Sequence, residues 1–389
     1  MNRMLTMLLA VLLLVLTVSC VRAASPYDKA ETPLTLFAIN VGKGDALLLN
    51  AGNDTYLIDT GLAEHWGDVS RALKMLQVSR LTGVILTHTD KDHAGGAWAL
   101  ATSSIAVDNW YAPAYFTGKE AKHPLVEAAA LRGEKVTFLQ AGDTLPLGAG
   151  TLAALGPVQP SETENCNSLV LLAEASGGRM LLTGDMEFPE EEDLLRVGLI
   201  PGCDVIKIGN HGEGDATSPA LIQAVMPKVA VISTSTQEEP DTPDARVLHL
   251  LKTAGTKVYL TQDAASGVLV TIDQGRVEAS GMHYTGVPDA VKGVRIAAVD
   301  KAEDCIRLVN GGKADAELSG WYIVSEKGSQ IFVLPEGTVL PKGGELVITS
   351  LSSEEPGDLV WPDKNVWHDK KDDAAVLYDV YGRQMARFH

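Results

Sequence analysis

Basic residues are in short supply: 32 Lys and Arg stand against 50 Asp and Glu, a formal net charge of −18. That balance argues against a broad electrostatic footprint for a polyanion, so any nucleic-acid chemistry would rest on metals and a local basic feature. Cysteine is scarcer still, with Cys20, Cys166, Cys203 and Cys305 in 389 residues. Loss or lipidation of Cys20 leaves an odd, widely spaced three, which is no disulfide framework. A Cys166–Cys203 bridge is one alternative; buried free thiols are the preferred one. Aromatic residues make up 5% of the chain, while 46% hydrophobic content supports sizeable cores in two or three domains. Past the first two dozen residues no run is apolar enough to cross a membrane. Also missing are a Ser-His-Asp or Cys-His arrangement and a phosphate-binding P-loop. Gly42-x-Gly44 lacks the spacing and the following helix of a dinucleotide site.

The N-terminus reads as an export signal or lipoprotein leader over residues 1–24. Arg3 precedes an uncharged apolar run from Met4 to Val18, then Ser19-Cys20-Val21-Arg22-Ala23-Ala24. Three outcomes stay open: cleavage after Val21-x-Ala23, lipidation at an imperfect lipobox ending in Cys20, or an uncut span from Met4 to Val21. Each puts the rest of the chain outside the cytoplasm.

One stretch organises the remainder, Ile85-Leu86-Thr87-His88-Thr89-Asp90-Lys91-Asp92-His93-Ala94-Gly95-Gly96. A buried strand (Gly83–Leu86) is followed by two histidines and two aspartates within six residues, a spacing that fits no amphipathic period. The strand delivers them to its C-terminal end, where α/β ligand crevices lie. So many ligands on one loop serve two ions rather than one. Two ions about 3.5–4 Å apart can clamp the attacking and leaving oxygens of a hydrolysed bond.

Around this loop, strands at Leu34–Asn40, Ala46–Asn50 and Thr55–Gly61 form a meander with glycine turns. Helical spacing covers Gly67–Val78. A short helix at Ala97–Ala101, opened by Gly95 and Gly96, is expected to face an anionic substrate. Strands follow at Asn109–Ala112, Lys135–Leu139 and Thr151–Leu155, with a helix at Pro124–Leu131. Gly178–Asp185 is a buried strand ending in Gly-Asp, and Pro189–Val197 reads as an acidic helix with a solvated face. A strand at Val229–Ser233, a helix at Pro243–Thr253 and strands at Lys257–Thr261 and Gly267–Asp273 complete a second half echoing the first. After a linker at His283–Lys292, short strands alternate with glycine and proline turns and no helix is evident, the pattern of an immunoglobulin-like sandwich.

"LTHTDKDHAGG" resembles the signature loop of the metallo-β-lactamase superfamily, in the form found in competence (ComEC-like) hydrolase domains. "INVGKGDALLL", "YLIDTG", "NCNSLVL", "LLTGD" and "DVIKIGNHG" resemble further motifs of those domains, in order, over roughly residues 34–275. The chain departs from the pattern at Asn210, where the family has the first of two histidines, and at Glu213, where it has serine. "LSGW", "LPKGGELVI" and "DAAVLYD" resemble pieces of a lamin-tail domain. The resemblance implies an α/β architecture: a four-layer αββα sandwich at 34–282, then an all-β immunoglobulin-like lamin-tail sandwich at 292–389.

It also implies a ligand set of His88, Asp90, Asp92, His93, Asp185 and His211 for two divalent metal ions (Zn or Mn). Asp185 bridges, and Asp92 and Asp185 act in catalysis. His88, Asp90 and Asp185 would hold one ion; Asp92, His93, Asp185 and His211 the other. Asp45, Asp59 and Asn167 would stand behind the ligands, Asp59 fixing a ligand's orientation. Taken alone, each such aspartate is more often a turn or cap residue, and the asparagines at 165 and 167 are as well read as turn residues. His65, His123, His249, His283, His368 and His389 read as surface or structural, Trp321 and Trp367 as core.

The leading expectation is an exported metal-dependent phosphodiesterase or nuclease acting on external DNA. A second is a hydrolase of another phosphoester, such as envelope phosphocholine, or of a carboxylic ester or amide. A third is a surface-binding protein that has lost catalysis around His211. Expected partners are a phosphoester or nucleic-acid substrate and the cell surface or envelope, reached through the leader and the lamin-tail module.

Overall fold

The computed structural model describes residues 32–284, 286–354, 356–368 and 372–389, so the leader at 1–24 lies outside the described residues. Among the described residues, no helix is long and apolar enough to cross a membrane.

Strand β1 (Leu34–Ile39) explains the layering. Leu34, Leu36 and Ala38 enter one core, Phe37 and Ile39 another. A sheet covered on both faces needs no polar alternation, which is why this segment is apolar almost throughout. β1 pairs antiparallel with β2 (Leu47–Ala51) and β2 with β3 (Asp54–Ile58), the expected meander. β4 (Gly83–Ile85), β5 (Trp110–Pro113) and β6 (Val136–Leu139) then add in parallel.

The second sheet contains β7 (Thr144–Leu147), β8 (Gly150–Gly156), β9 (Val170–Ala175), β10 (Gly178–Leu182), β11 (Val205–Lys207), β12 (Val229–Ile232) and β13 (Lys257–Leu260). They lie side by side in chain order, with β10 to β13 parallel. β7 went unread in the sequence because Pro146 interrupts a run of four residues. The chain then returns to the first sheet through β14 (Gly267–Asp273) and β15 (Arg276–Met282), making its order β15-β14-β1-β2-β3-β4-β5-β6.

The two sheets enclose one core. Helices α1 (Trp66–Met75), α2 (Lys91–Ala94), α3 (Ala97–Thr102) and α4 (Pro124–Leu131) lie along the first half, and α1, α3 and α4 cover the outer face of the first sheet. Helices α5 (Phe188–Arg196), α6 (Pro219–Val225) and α7 (Ala245–Thr253) cover the outer face of the second. This is the four-layer αββα sandwich.

One expectation is corrected here. Glu190 and Glu191 of α5 are buried, at 4% and 1% exposure, so the acidic helix is not simply a solvated face. Glu191 accepts the backbone N–H groups of Thr217 and Ser218, satisfying donors just before α6. Burial, with Asp193 and Glu191 nearby, holds the Glu190 carboxyl well above its ordinary range. The glycines before α3 allow close packing: a Cβ at Gly96 would stand 2.5 Å from the Thr60 carbonyl oxygen.

The C-terminal region is all-β among its described residues. β16 (Val294–Asp300), β17 (Cys305–Asn310), β20 (Glu345–Ser350) and β21 (Leu359–Trp361) make one sheet; β18 (Tyr322–Ser325), β19 (Gln330–Val333), β22 (Ala375–Tyr378) and β23 (Gln384–Phe388) make the facing one. Trp321, Trp361, Trp367 and Phe332 fill the space between them. This module packs on the first through Tyr322, Val324 and Ile331, which are buried in the core shared with α1 and α3. Tyr322 Oη donates to the Glu64 carbonyl at 2.6 Å and accepts from Gly67 N at 3.2 Å.

Candidate metal centre

Several strand ends converge on one crevice. Asp59 follows β3, the 87–93 segment follows β4, Asp185 follows β10 and His211 follows β11. Each therefore sits at the C-terminal end of a strand with a parallel neighbour, where such sheets place ligands. Asp185 is central. Its Oδ2 lies 3.0 Å from His93 Nε2, 3.2 Å from His211 Nε2 and 3.9 Å from His88 Nε2. Asp92 Oδ2 is 3.2 Å from His211 Nε2. Donor atoms of Asp92, His93, Asp185 and His211 all lie within 4.8 Å of one another. His88 and Asp90 form a looser arm, with His88 Nε2 3.7 Å from Asp90 Oδ2.

Local structure accounts for these placements. Asp90 is the N-cap residue of α2, and one helical turn carries Asp92 and His93. The 42–45 turn lies directly on that helix: Asp45 N donates to the Asp92 carbonyl at 3.1 Å, and a Cβ at Gly44 would stand 2.5 Å from the same oxygen. Thr60 N and Oγ1 hold the His93 carbonyl at 2.7 and 2.9 Å. His211 reaches the cluster through two successive left-handed residues, Asn210 at φ 43° and His211 at φ 52°. Asparagine tolerates that conformation better than most residues. The Asn210 side chain turns to Asp215 at 3.1 Å and takes no part in the cluster.

Hydrogen bonds assign the ring nitrogens. His211 Nδ1 faces the Ser233 carbonyl at 3.0 Å, which can only accept, so Nδ1 carries the proton. His93 Nδ1 lies 2.8 Å from Asp59 Oδ2. Thr87 Oγ1 donates to that same oxygen at 2.8 Å, leaving its lone pair for the Nδ1–H of His88 at 3.0 Å. All three rings thus aim Nε2 inward, the arrangement in which second partners orient metal-binding imidazoles.

Charge reinforces the geometry. Burial alone would lower the His93 imidazolium, but Asp185 and Asp59 hold it well above its usual value. The same balance, with Asp185 and Asp92, pushes His211 up to about 9. His88 goes the other way, lowered by burial and by His93. Burial would raise Asp185 and Asp92, but the neighbouring imidazoles hold both below the carboxylate range. Asp90, half exposed, is raised by burial with Asp92 and Glu164 against the pull of His88.

The polar atoms left over fit a cation. His88 Nε2 and Asp185 Oδ1 are buried without a hydrogen-bond partner, and the donor set is three carboxylates and three imidazoles. Such oxygen-rich sets suit Mn²⁺ or Mg²⁺ as well as Zn²⁺.

Of the residues expected behind the ligands, Asp59 touches His93. Asp45 instead pairs with Lys207, both fully buried, and Lys207 Nζ is 3.8 Å from Asp185 Oδ1. Asn167 is a correction: its amide is committed to Ser161 N, Ser161 O and Thr163 O, bracing a loop rather than a ligand. Ser168 does that work, with Oγ 3.4 Å from His88 Nδ1 and 3.1 Å from Asp185 N. Thr87, Ser168 and Lys207 were missed. Lys207 left a signal, since a lysine inside the apolar run Val205–Ile208 must have a charged partner. Cys166 and Cys203 are free thiols. His123 is buried and structural, its Nδ1 capping α4 at Leu125 N.

The metallo-beta-lactamase superfamily model matches residues 39–236, just over half of the chain. The chain belongs to that superfamily. Residues 288–389 match the lamin tail domain. ComE operon protein 3 of Bacillus subtilis is 29% identical over 242 residues, 57% of this superfamily member and 31% of that protein. Competence protein ComA of Neisseria gonorrhoeae is 29% identical over 280 residues, 69% of this chain and 36% of that one. The chain thus spans about a third of the length of the curated relatives it matches. Among solved structures, the metallo-beta-lactamase fold protein YhfI of Bacillus subtilis aligns with TM-score 0.44 and 14% identity, covering 62% of this chain and 99% of that one.

Proposed function

We propose that this superfamily member is a metal-dependent hydrolase of phosphodiesters, working outside the cytoplasm on a nucleic-acid or related substrate. The observation that carries the reading is the four-donor cluster of Asp92, His93, Asp185 and His211, with the buried, unpartnered Nε2 of His88 beside it. In this reading Asp92, His93, Asp185 and His211 hold one divalent ion, and His88, Asp90 and Asp185 a second. Bound ions supply hydroxide near neutrality and offset charge on phosphoryl oxygens. The chain's own groups do the rest. Asp59 and the Ser233 carbonyl fix the rings of His93 and His211. Asp92, a quarter exposed, is the carboxylate placed to take a proton from the attacking water. The name of one relative, competence protein ComA, favours DNA among phosphodiesters, and the apolar run from Met4 to Val18 supports export.

Metal analysis of the purified chain, paired with turnover of bis(p-nitrophenyl) phosphate with Mn²⁺ or Zn²⁺, tests this. Asp185→Asn is expected to lower both metal content and turnover by at least 100-fold on the ~3 kcal/mol scale of a lost charged ligand. Full turnover in that variant would refute the assignment. The acidic balance of −18 favours a second reading, a small phosphoester in place of DNA; it gains if bis(p-nitrophenyl) phosphate is cleaved and single-stranded DNA is not.

A further inference from the structure

Each parallel strand of the metal-bearing module runs toward the metal centre and the helix after it runs back, so these helices end at the opposite end of the molecule. The exposed large hydrophobic residues of that module are Met75, Leu76, Leu131, Val197, Leu199 and Met226. Met75 and Leu76 stand at the C-terminus of α1, Leu131 at that of α4, Val197 and Leu199 just past α5, and Met226 just past α6. Met226 is 73% exposed. All six lie at the far end and none at the metal end. Exposed apolar residues scattered singly are ordinary, but a set confined to one end marks a contact surface.

The chain enters the module at this same end. A Cβ at Gly52, in the β2–β3 turn, would stand 3.3 Å from both Thr32 Oγ1 and Gly148 Cα in the β7–β8 turn. From there the surface runs on to Met226. Ala149, Gly150, Gly178 and Gly202 line one hollow of about 490 Å³, and Cys203 N donates to the Val225 carbonyl at 2.9 Å. Residues 21–31 separate Cys20 from Thr32 and span at most about 40 Å when fully extended. A leader kept in a bilayer would hold this end toward the lipid. Charge does not draw it there: Arg179 pairs with Glu174, Arg196 with Asp193, Lys228 with Asp204 and Arg276 with Glu278.

We propose that this end rests on the phospholipid surface to which the leader anchors the chain. Val197, Leu199 and Met226 enter the boundary between headgroups and acyl chains, and the metal centre points away from the bilayer, toward substrate arriving from solution. A few side chains hold a bilayer weakly by themselves; a short tether makes the contact intramolecular. This depends on retention of the leader, not on which bond the metal centre cleaves.

The test is quenching by brominated phosphatidylcholine of an environment-sensitive fluorophore on the full chain, purified from membranes and reconstituted in vesicles. The fluorophore is placed on Met226→Cys or, beyond the metal end of β12, on the exposed Gln237→Cys, and wild type treated in the same way is the blank for the native cysteines. Quenching at position 226 at least about fivefold that at 237 is the expected result, for side chains about 5–10 Å into the interface. It should persist in about 0.5 M NaCl, which screens surface charge, and fall at least about twofold with Leu199→Ser. Melting curves check folding, and Leu199→Cys replaces Met226→Cys if the latter loses its transition. Equal quenching at 226 and 237, or stronger quenching at 237, overturns the proposal. So does recovery of the chain in the soluble fraction with its leader removed. Shielding of position 226 that rises with protein concentration in lipid-free detergent would assign the face to a second copy and likewise overturn it.

Discussion

Lys207→Met is the most searching perturbation of the site's scaffold. Lys207 is fully buried, with Nζ against Asp45 Oδ2, 3.2 Å from the Gly184 carbonyl and 3.8 Å from Asp185 Oδ1. Methionine keeps the unbranched length and removes the charge. No other cationic side chain pairs with Asp45 among the described residues, so its carboxylate would be left buried and uncompensated. Removing one partner of a buried pair costs about 3–5 kcal/mol. The attraction to Asp185, roughly 4 kcal/mol at 3.8 Å with an effective dielectric of 20, is lost too, though the two losses overlap and do not add. Asp45→Asn with Lys207→Met removes both charges and is expected to recover at least about 2 kcal/mol of the single-mutant loss. The assay is urea unfolding followed by circular dichroism in EDTA, which keeps bound metal from masking the change. A single variant within about 1 kcal/mol of wild type, or strictly additive losses in the double variant, would refute the account of Lys207 as charge compensation.

Gly96→Ala forces a Cβ to 2.5 Å from the Thr60 carbonyl, displacing the residue that holds His93. It should cost about 1–3 kcal/mol and lower metal content, read by melting temperature and metal analysis. His123, buried beside Phe116, has its pKa brought down to about 4 by burial from an ordinary 6.5. The unfolded chain protonates first, so this contribution is complete above pH 6.5 and is lost as pH falls toward 4. Its size is ~3 kcal/mol. His123→Asn keeps a cap acceptor without the titration, so its stability should fall less between pH 7 and 4.5; parallel profiles would count against this. Tyr322→Phe strands the Gly67 N–H and Glu64 carbonyl and should cost about 1–3 kcal/mol. Faster proteolysis in the 283–292 linker is the readout, and wild-type resistance would show the hydroxyl is not holding the modules together.

Much of the fold was legible because it is local. The meander from Leu34, the helix at Pro124–Leu131 and the strand at Gly267–Asp273 follow from apolar periodicity and turn residues, and the structure places their ends within three residues. The short strand at Thr144–Leu147 escaped because four residues containing a proline give no usable period. The face of α5 was misread because a glutamate's burial depends on what packs against it, here the backbone before α6.

The site divides the same way. Residues 88–93 declare themselves because one loop brings four ligands together, two histidines and two aspartates, and motif order pointed to Asp185 and His211. Neighbours on a chain need no fold to meet. Whether Asp92 meets His211, 119 positions away, was decided only when two sheets closed face to face. The same closure buried Lys207 on Asp45, whereas Asn210 and Asn167 turn to partners only five and six positions along the chain. Spacing and periodicity act over a few residues; desolvation and charge pairing act over a few ångströms, and only the folded chain determines which residues those ångströms separate.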